Sequence, residues 1–100
     1  MMDFNRQINI ALKTGKTELG CRSASTAAKQ GKAKLIILAS NCPEEYKNKI
    51  LIDAKNSGIS VYTYDGTSME LGSVCGKPFI VAAITVREPG NSEILKLADK

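Results

Sequence analysis

Five consecutive apolar residues, Leu35-Ile36-Ile37-Leu38-Ala39, stand between Lys34 and Ser40. The run is too short for a helix that buries itself, and it offers no polar face to water. It predicts a central β-strand covered on both sides. A strand that is dry on both faces needs helices above and below it, and the flanking sequence supplies them. Phe4, Ile8, Ala11 and Leu12 recur at helical spacing between Asp3 and Thr14, ahead of Gly15. Thr17-Glu18-Leu19 reads as a short strand, and a helix of small residues follows from about Ser23 to Gln30, stopped by Gly31.

Beyond the apolar run the alternation continues. Asn41-Cys42-Pro43-Glu44-Glu45 predicts a helix start, with Asn41 as the capping residue, an early proline and carboxylates at the positive dipole end. Tyr46, Ile50 and Ala54 form its inner stripe and Gly58 closes it. Ile59 to Tyr64 is the next strand, with Tyr62 and Tyr64 on one face under a helix. Thr67-Ser68-Met69-Glu70 matches a capping box for a helix ending near Gly76. Phe79 to Val86 is the last strand, and Ser92 to Ala98 a closing helix after Pro89-Gly90. Short connections between alternating helices and strands predict one α/β domain over residues 1–100, a three-layer α/β/α sandwich around a mixed four-stranded sheet.

Composition narrows the function classes. There is no histidine, which removes the usual general base and the Ser-His and Cys-His nucleophile pairs. Three cysteines without a CxxC cannot by themselves build a four-ligand zinc site, and buried packing is their expected role. Gly15-Lys16-Thr17-Glu18-Leu19-Gly20 has P-loop glycine spacing, but Cys21 and Arg22 follow where Lys and Ser/Thr are needed. No enzyme, cofactor or metal is expected. No apolar stretch approaches membrane-spanning length, and the N-terminus lacks a signal-peptide core, so a cytoplasmic chain without membrane contact is expected.

The charge is unevenly placed. Residues 1–50 carry nine Lys/Arg against four Asp/Glu, while residues 51–100 carry five against six. Between Leu19 and Pro43 there is no acidic residue, but Arg22, Lys29, Lys32 and Lys34 are present. The start of the small-residue helix would offer backbone N–H groups, a guanidinium and hydroxyls to a phosphate or a guanine edge. Nucleic acid is the first partner class implied. Aromatic residues are too few for a stacking platform, so folded RNA read by loops and helix ends fits better than extended single strands. By spacing alone Phe79 is equally a core residue or an exposed wedge.

Several segments resemble one family. Leu19-Gly20-Cys21-Arg22-Ser23, Gln30-Gly31-Lys32-Ala33-Lys34-Leu35-Ile36-Ile37 and Ala39-Ser40-Asn41 are similar to the archaeal and eukaryotic large-subunit ribosomal protein family called L-thirty-e. So are Glu70-Leu71-Gly72, Gly76-Lys77-Pro78-Phe79 and Glu88-Pro89-Gly90-Asn91-Ser92-Glu93-Ile94-Leu95, nearly end to end and in order. The compact length looks archaeal. The resemblance implies the same sandwich and a structural role in the large ribosomal subunit, on kink-turn RNA with tandem sheared G·A pairs. Its implied partners are large-subunit rRNA and neighbouring ribosomal proteins, with the free protein a monomer. Carried over by position, Gly20 lets the RNA backbone approach, and Arg22 contacts phosphate or guanine beside Ser23 and Thr26. Asn41 bonds a base edge, Lys77 adds charge, and Phe79 with Val81 makes an apolar contact with a displaced nucleotide. A sister branch in box C/D guide particles typically has an Asn-Glu pair and a lysine where this chain has Arg22, Ser23 and Thr26, which favours the ribosomal branch. Other ribonucleoproteins sharing kink-turn RNA, and protein-interaction modules on the same scaffold, are the alternatives.

Overall fold

A computed structural model of the chain describes residues 3–99. In chain order it contains α1 (Phe4–Thr14), β1 (Lys16–Leu19), α2 (Cys21–Gln30), β2 (Leu35–Leu38), α3 (Glu44–Ser57) and β3 (Ser60–Thr63). Then come α4 (Ser68–Val74), β4 (Ala83–Glu88) and a closing 3-10 helix, Ile94–Asp99. No helix is long and apolar enough to cross a membrane among the described residues.

All four β2 side chains are sealed from solvent, each contributing roughly 1.5–3 kcal/mol of apolar burial. Period-two alternation divides them between two cores. Leu35 and Ile37 join Ile8, Ala11, Leu71 and Ile94, carried by α1, α4 and the closing helix. Ile36 and Leu38 join Ala24, Ala28, Ile50 and Ala54 from α2 and α3 on the opposite side. The expected α/β sandwich with a mixed four-stranded sheet is therefore present. Its strand order is β1-β4-β2-β3, with β4 antiparallel to both neighbours and β3 parallel to β2. Phe4 of α1 stacks on Tyr62 and Tyr64, with ring centroids 6.0 and 4.9 Å apart, so the two tyrosines do lie under a helix.

Register decides which chain ends meet. Leu19 pairs with Ile84, and Leu38 pairs with both Ala83 and Thr63. The C-terminal ends of β1, β2 and β3 and the N-terminal end of β4 therefore share one edge of the sheet. Backbone bonds stitch that edge together: Gly20 N–H to the Ala83 carbonyl at 2.8 Å, Ala39 N–H to Ala82 at 2.9 Å, and Tyr64 N–H to Leu38 at 2.7 Å. Ser40 donates to the Gly66 carbonyl through both its N–H and its hydroxyl, each at 2.9 Å.

Four expectations are corrected. The last strand begins at Ala83, not Phe79. Residues 77–82 are irregular because helix α4, and not a strand, anchors residues 77–81: Lys77 N–H reaches the Gly72 carbonyl at 2.9 Å and Val81 N–H the Ser68 carbonyl at 3.0 Å. The small-residue helix begins at Cys21, with Gly20 at its cap position. Asn41 does not cap α3; Pro43 occupies that position with no side-chain bond, and Glu44 and Glu45 offset the dipole. The closing helix is a 3-10 helix starting at Ile94. By contrast the capping box at Thr67 and Glu70 forms as read.

Gly72 is the contact that lets residues 79–81 lie on α4. A Cβ there would run into the Phe79 carbonyl oxygen, with the Val81 nitrogen 3.4 Å away. Gly72→Ala is expected to lower unfolding free energy by roughly 1–3 kcal/mol through overpacking, measured by urea denaturation. A melt unchanged from wild type would contradict this packing.

Candidate nucleic-acid interface

The shared edge of the sheet gathers the N-termini of α2, α3 and α4, and they differ in how their first N–H groups are satisfied. At α4 the Thr67 hydroxyl accepts from Glu70 N–H, and Glu70 reaches back to the cap. Asn41 Oδ1 accepts from Ser68 N–H at 2.7 Å. At α3 two first-turn carboxylates face the positive dipole end. Helix α2 has neither a side-chain cap nor an acidic residue in its first turn. Helix α3 also lacks a side-chain cap, so of the three starts α2 alone combines open first-turn donors with a positive dipole end that no first-turn carboxylate offsets.

Gly20 makes that opening possible. Its φ of 117° and ψ of 153° belong to a region that side-chain-bearing residues avoid, and nothing lies within 4 Å of where a Cβ would be. Arg22 is exposed, with Ser23 half-buried beside it. Both line a shallow cleft of about 280 Å³ together with Glu18, Thr26 and Arg87. Glu18 thus stands next to Arg22, a carboxylate that the acid-free stretch after Leu19 did not reveal. It is held by Arg87, whose Nε donates to Glu18 Oε1 at 2.7 Å while Nη1 donates to the Lys32 carbonyl at 3.0 Å. The pairing leaves the Arg22 guanidinium without a carboxylate partner among the described residues.

The apolar part of the edge lies across from α2. Phe79 is 55% exposed and Ile80 64%, whereas Val81 is 1% exposed and belongs to the core. The structure therefore corrects the expected Phe79–Val81 pair. A regular strand would put those two residues on one face, but the α4 anchor breaks the alternation, and Ile80 is the outward neighbour. Phe79 and Ile80 line a cleft of about 240 Å³ with Met69, Ser73, Lys77 and Pro78. Met69 and Ile80 were not singled out by sequence reasoning. Only the bend of residues 77–82 brings them together, and no spacing rule signals it.

Asn41 is exposed, but its oxygen is already committed to Ser68 N–H. Its two Nδ2 donors remain available to an external acceptor. The Cys21 and Cys42 sulfurs lie 3.9 Å apart behind this edge. Burial, with Cys21 as the next contributor, pushes the Cys42 thiol up to about 11 from 9.0, so it stays protonated and packs as a small apolar group. Burial also raises Cys75. Acidic groups are not excluded from this end: Asp65, Glu44 and Glu45 are exposed around the starts of α3 and α4. Arg22 follows β1 and Phe79 and Ile80 precede β4, whereas Glu44, Glu45 and Asp65 follow β2 and β3.

The Asn41 oxygen, bonded to Ser68, and its outward Nδ2 donors are separable by mutation. Asn41→Asp keeps the oxygen for Ser68 N–H and is expected to leave the melting temperature near wild type. Asn41→Ala removes it and should cost about 1 kcal/mol. Both variants lose the outward N–H donors, so both should weaken RNA binding in a filter-binding titration. Wild-type affinity for either variant would show that Asn41 serves α4 alone.

The chain matches the model of the ribosomal protein L7Ae/L30e/S12e/Gadd45 family over residues 2–96. It is 50% identical over 96 residues to the large ribosomal subunit protein eL30 of Methanothermobacter thermautotrophicus, covering 96% of this chain and 98% of that one. Identity to the eL30 of Methanococcus vannielii is 48% over 96% of this chain and 91% of the relative. With the eL30 of Methanospirillum hungatei it is 42%, over 97% of this chain and 99% of the relative. Among solved structures, a protein of unknown function from Bacillus halodurans superposes with a TM-score of 0.73 at 25% identity, over 96% of this chain and 94% of the other. An α/β sandwich with an uncapped α2 start, together with these near-full-length matches, establishes that the chain belongs to the ribosomal protein L7Ae/L30e/S12e/Gadd45 family.

Proposed function

We propose that this chain is a structural, RNA-binding component of the large ribosomal subunit that docks, without chemistry, on a kink-turn-like internal loop of large-subunit rRNA. The observation that carries this reading is the uncapped N-terminus of α2, with Gly20 and Arg22, on the same sheet edge as the exposed Phe79 and Ile80. Phosphate or a guanine edge meets the α2 donors, Arg22 and Ser23. A nucleotide displaced from the stack rests on Phe79 and Ile80, with Lys77 nearby, and Asn41 Nδ2 donates to a base acceptor. Thr26 extends the polar face one turn down α2. The ribosomal assignment is supported by the eL30 relatives, which match over nearly their whole length. In this reading the protein acts on cytoplasmic ribosomes among neighbouring ribosomal proteins and is monomeric when free.

The test is a gel-shift comparison of a kink-turn RNA carrying tandem sheared G·A pairs with the same RNA carrying Watson–Crick pairs there. Tighter binding to the sheared form is expected. Arg22→Ala or Phe79→Ala should weaken it by roughly 1–3 kcal/mol, with little change in melting temperature because both side chains are exposed. Equal affinity for both RNAs, or equal mutational losses on straight duplex, would overturn the reading.

A further inference from the structure

Below the sheet edge, α2 and α3 enclose a second polar cleft of about 470 Å³, lined by Ser25, Thr26, Lys29, Gln30 and Lys49. Its lining holds two ammonium groups, two hydroxyls and one amide, and no carboxylate. Among the described residues neither lysine makes an ion pair. Glu45 and Asp53 stand one turn to either side of Lys49 on α3, yet neither lies within ion-pair distance of it. Two unpaired lysines facing one cleft repel each other and gain from a shared polyanion.

The cleft is continuous with the proposed interface. Arg22, Thr26, Lys29 and Gln30 are all exposed and recur at helical spacing along the outer face of α2. Thr26 lines both this cleft and the one that contains Arg22. Lys29 lies seven residue steps along the helix from Arg22, a drop of about 10 Å along the axis. An RNA stem leaving a loop held at the edge would pass this distance within a few nucleotides. The ligand chemistry is that of a phosphodiester backbone: point charges and hydroxyls suit phosphate oxygens, and no aromatic or wholly apolar side chain lines the cleft to stack on a base.

We infer that the α2–α3 cleft is a second, sequence-independent RNA contact, in which Lys29 and Lys49 neutralise backbone phosphates of a stem flanking the loop bound at the sheet edge. This rests on the RNA-binding reading above and adds to it the path of the RNA. Contacts at the edge select the kinked loop, and contacts in the cleft set the direction in which one stem leaves.

Fluorescence anisotropy over a salt series tests this with the full chain and three labelled RNAs. One carries the kink-turn loop with minimal stems, and the other two extend one stem each. Wild type should bind one extended RNA roughly tenfold more tightly than the minimal one at low salt, with a salt slope steeper by about 1.5. The Lys29→Gln/Lys49→Gln variant should lose that gain and bind the minimal RNA like wild type, while Lys29→Arg/Lys49→Arg should retain it. Lys13→Gln/Lys55→Gln, which removes the same charge elsewhere, should also retain it. The cleft is overturned if kinked RNA binds but stem length makes no difference, or if the two glutamine variants lose affinity alike. Failure to prefer any kinked RNA over straight duplex would instead remove the edge reading, and the cleft with it.

Discussion

Strand β2 has no wet side. Leu35 and Ile37 require one layer of helices and Ile36 and Leu38 a second, and both layers must exist before any of these side chains leaves water. The strand also pairs on both edges, with β3 parallel and β4 antiparallel, which satisfies its backbone groups while its side chains are buried. This constraint reaches the surface. A parallel neighbour needs a crossover helix, here α3, and the register then brings the ends of β1, β2 and β3 together with the start of β4. The candidate interface is the rim of a core organised around one strand.

At that rim the fold satisfies some helix ends and leaves one open. Residues from distant parts of the chain cooperate at α4, where Asn41 from the β2–α3 connection and Thr67 both accept backbone N–H groups. Glu44 and Glu45 offset the dipole of α3. Nothing does this for α2, and the nearby Glu18 is turned to Arg87. An open helix start costs little while water solvates it. Its first-turn N–H groups are then available to an anion that brings its own charge.

The apolar side of the rim is held by backbone. Phe79 and Ile80 are exposed, so their own burial does not fix their positions. They are set by Val81, which packs in the core and bonds to Ser68, and by the absence of a side chain at Gly72. A backbone support beneath exposed apolar groups limits the conformational entropy that any ligand covering them would cost.

Much of this was legible in the residues. The apolar run specified β2, small-residue and amphipathic spacing specified α1 and α2, and the Thr67–Glu70 pair specified the start of α4, because these depend on local geometry and on which faces can be wet. The arginine and the glycine at the α2 start were readable for the same reason. Tertiary structure alone decided that Phe79 is outside and Val81 inside, that Asn41 serves α4 and not α3, and that Glu18 lies beside Arg22 but is neutralised by Arg87. Each of these depends on contacts between segments far apart in the chain, where packing against α4 overrides strand periodicity and an ion pair cancels a charge that no local pattern shows to be paired.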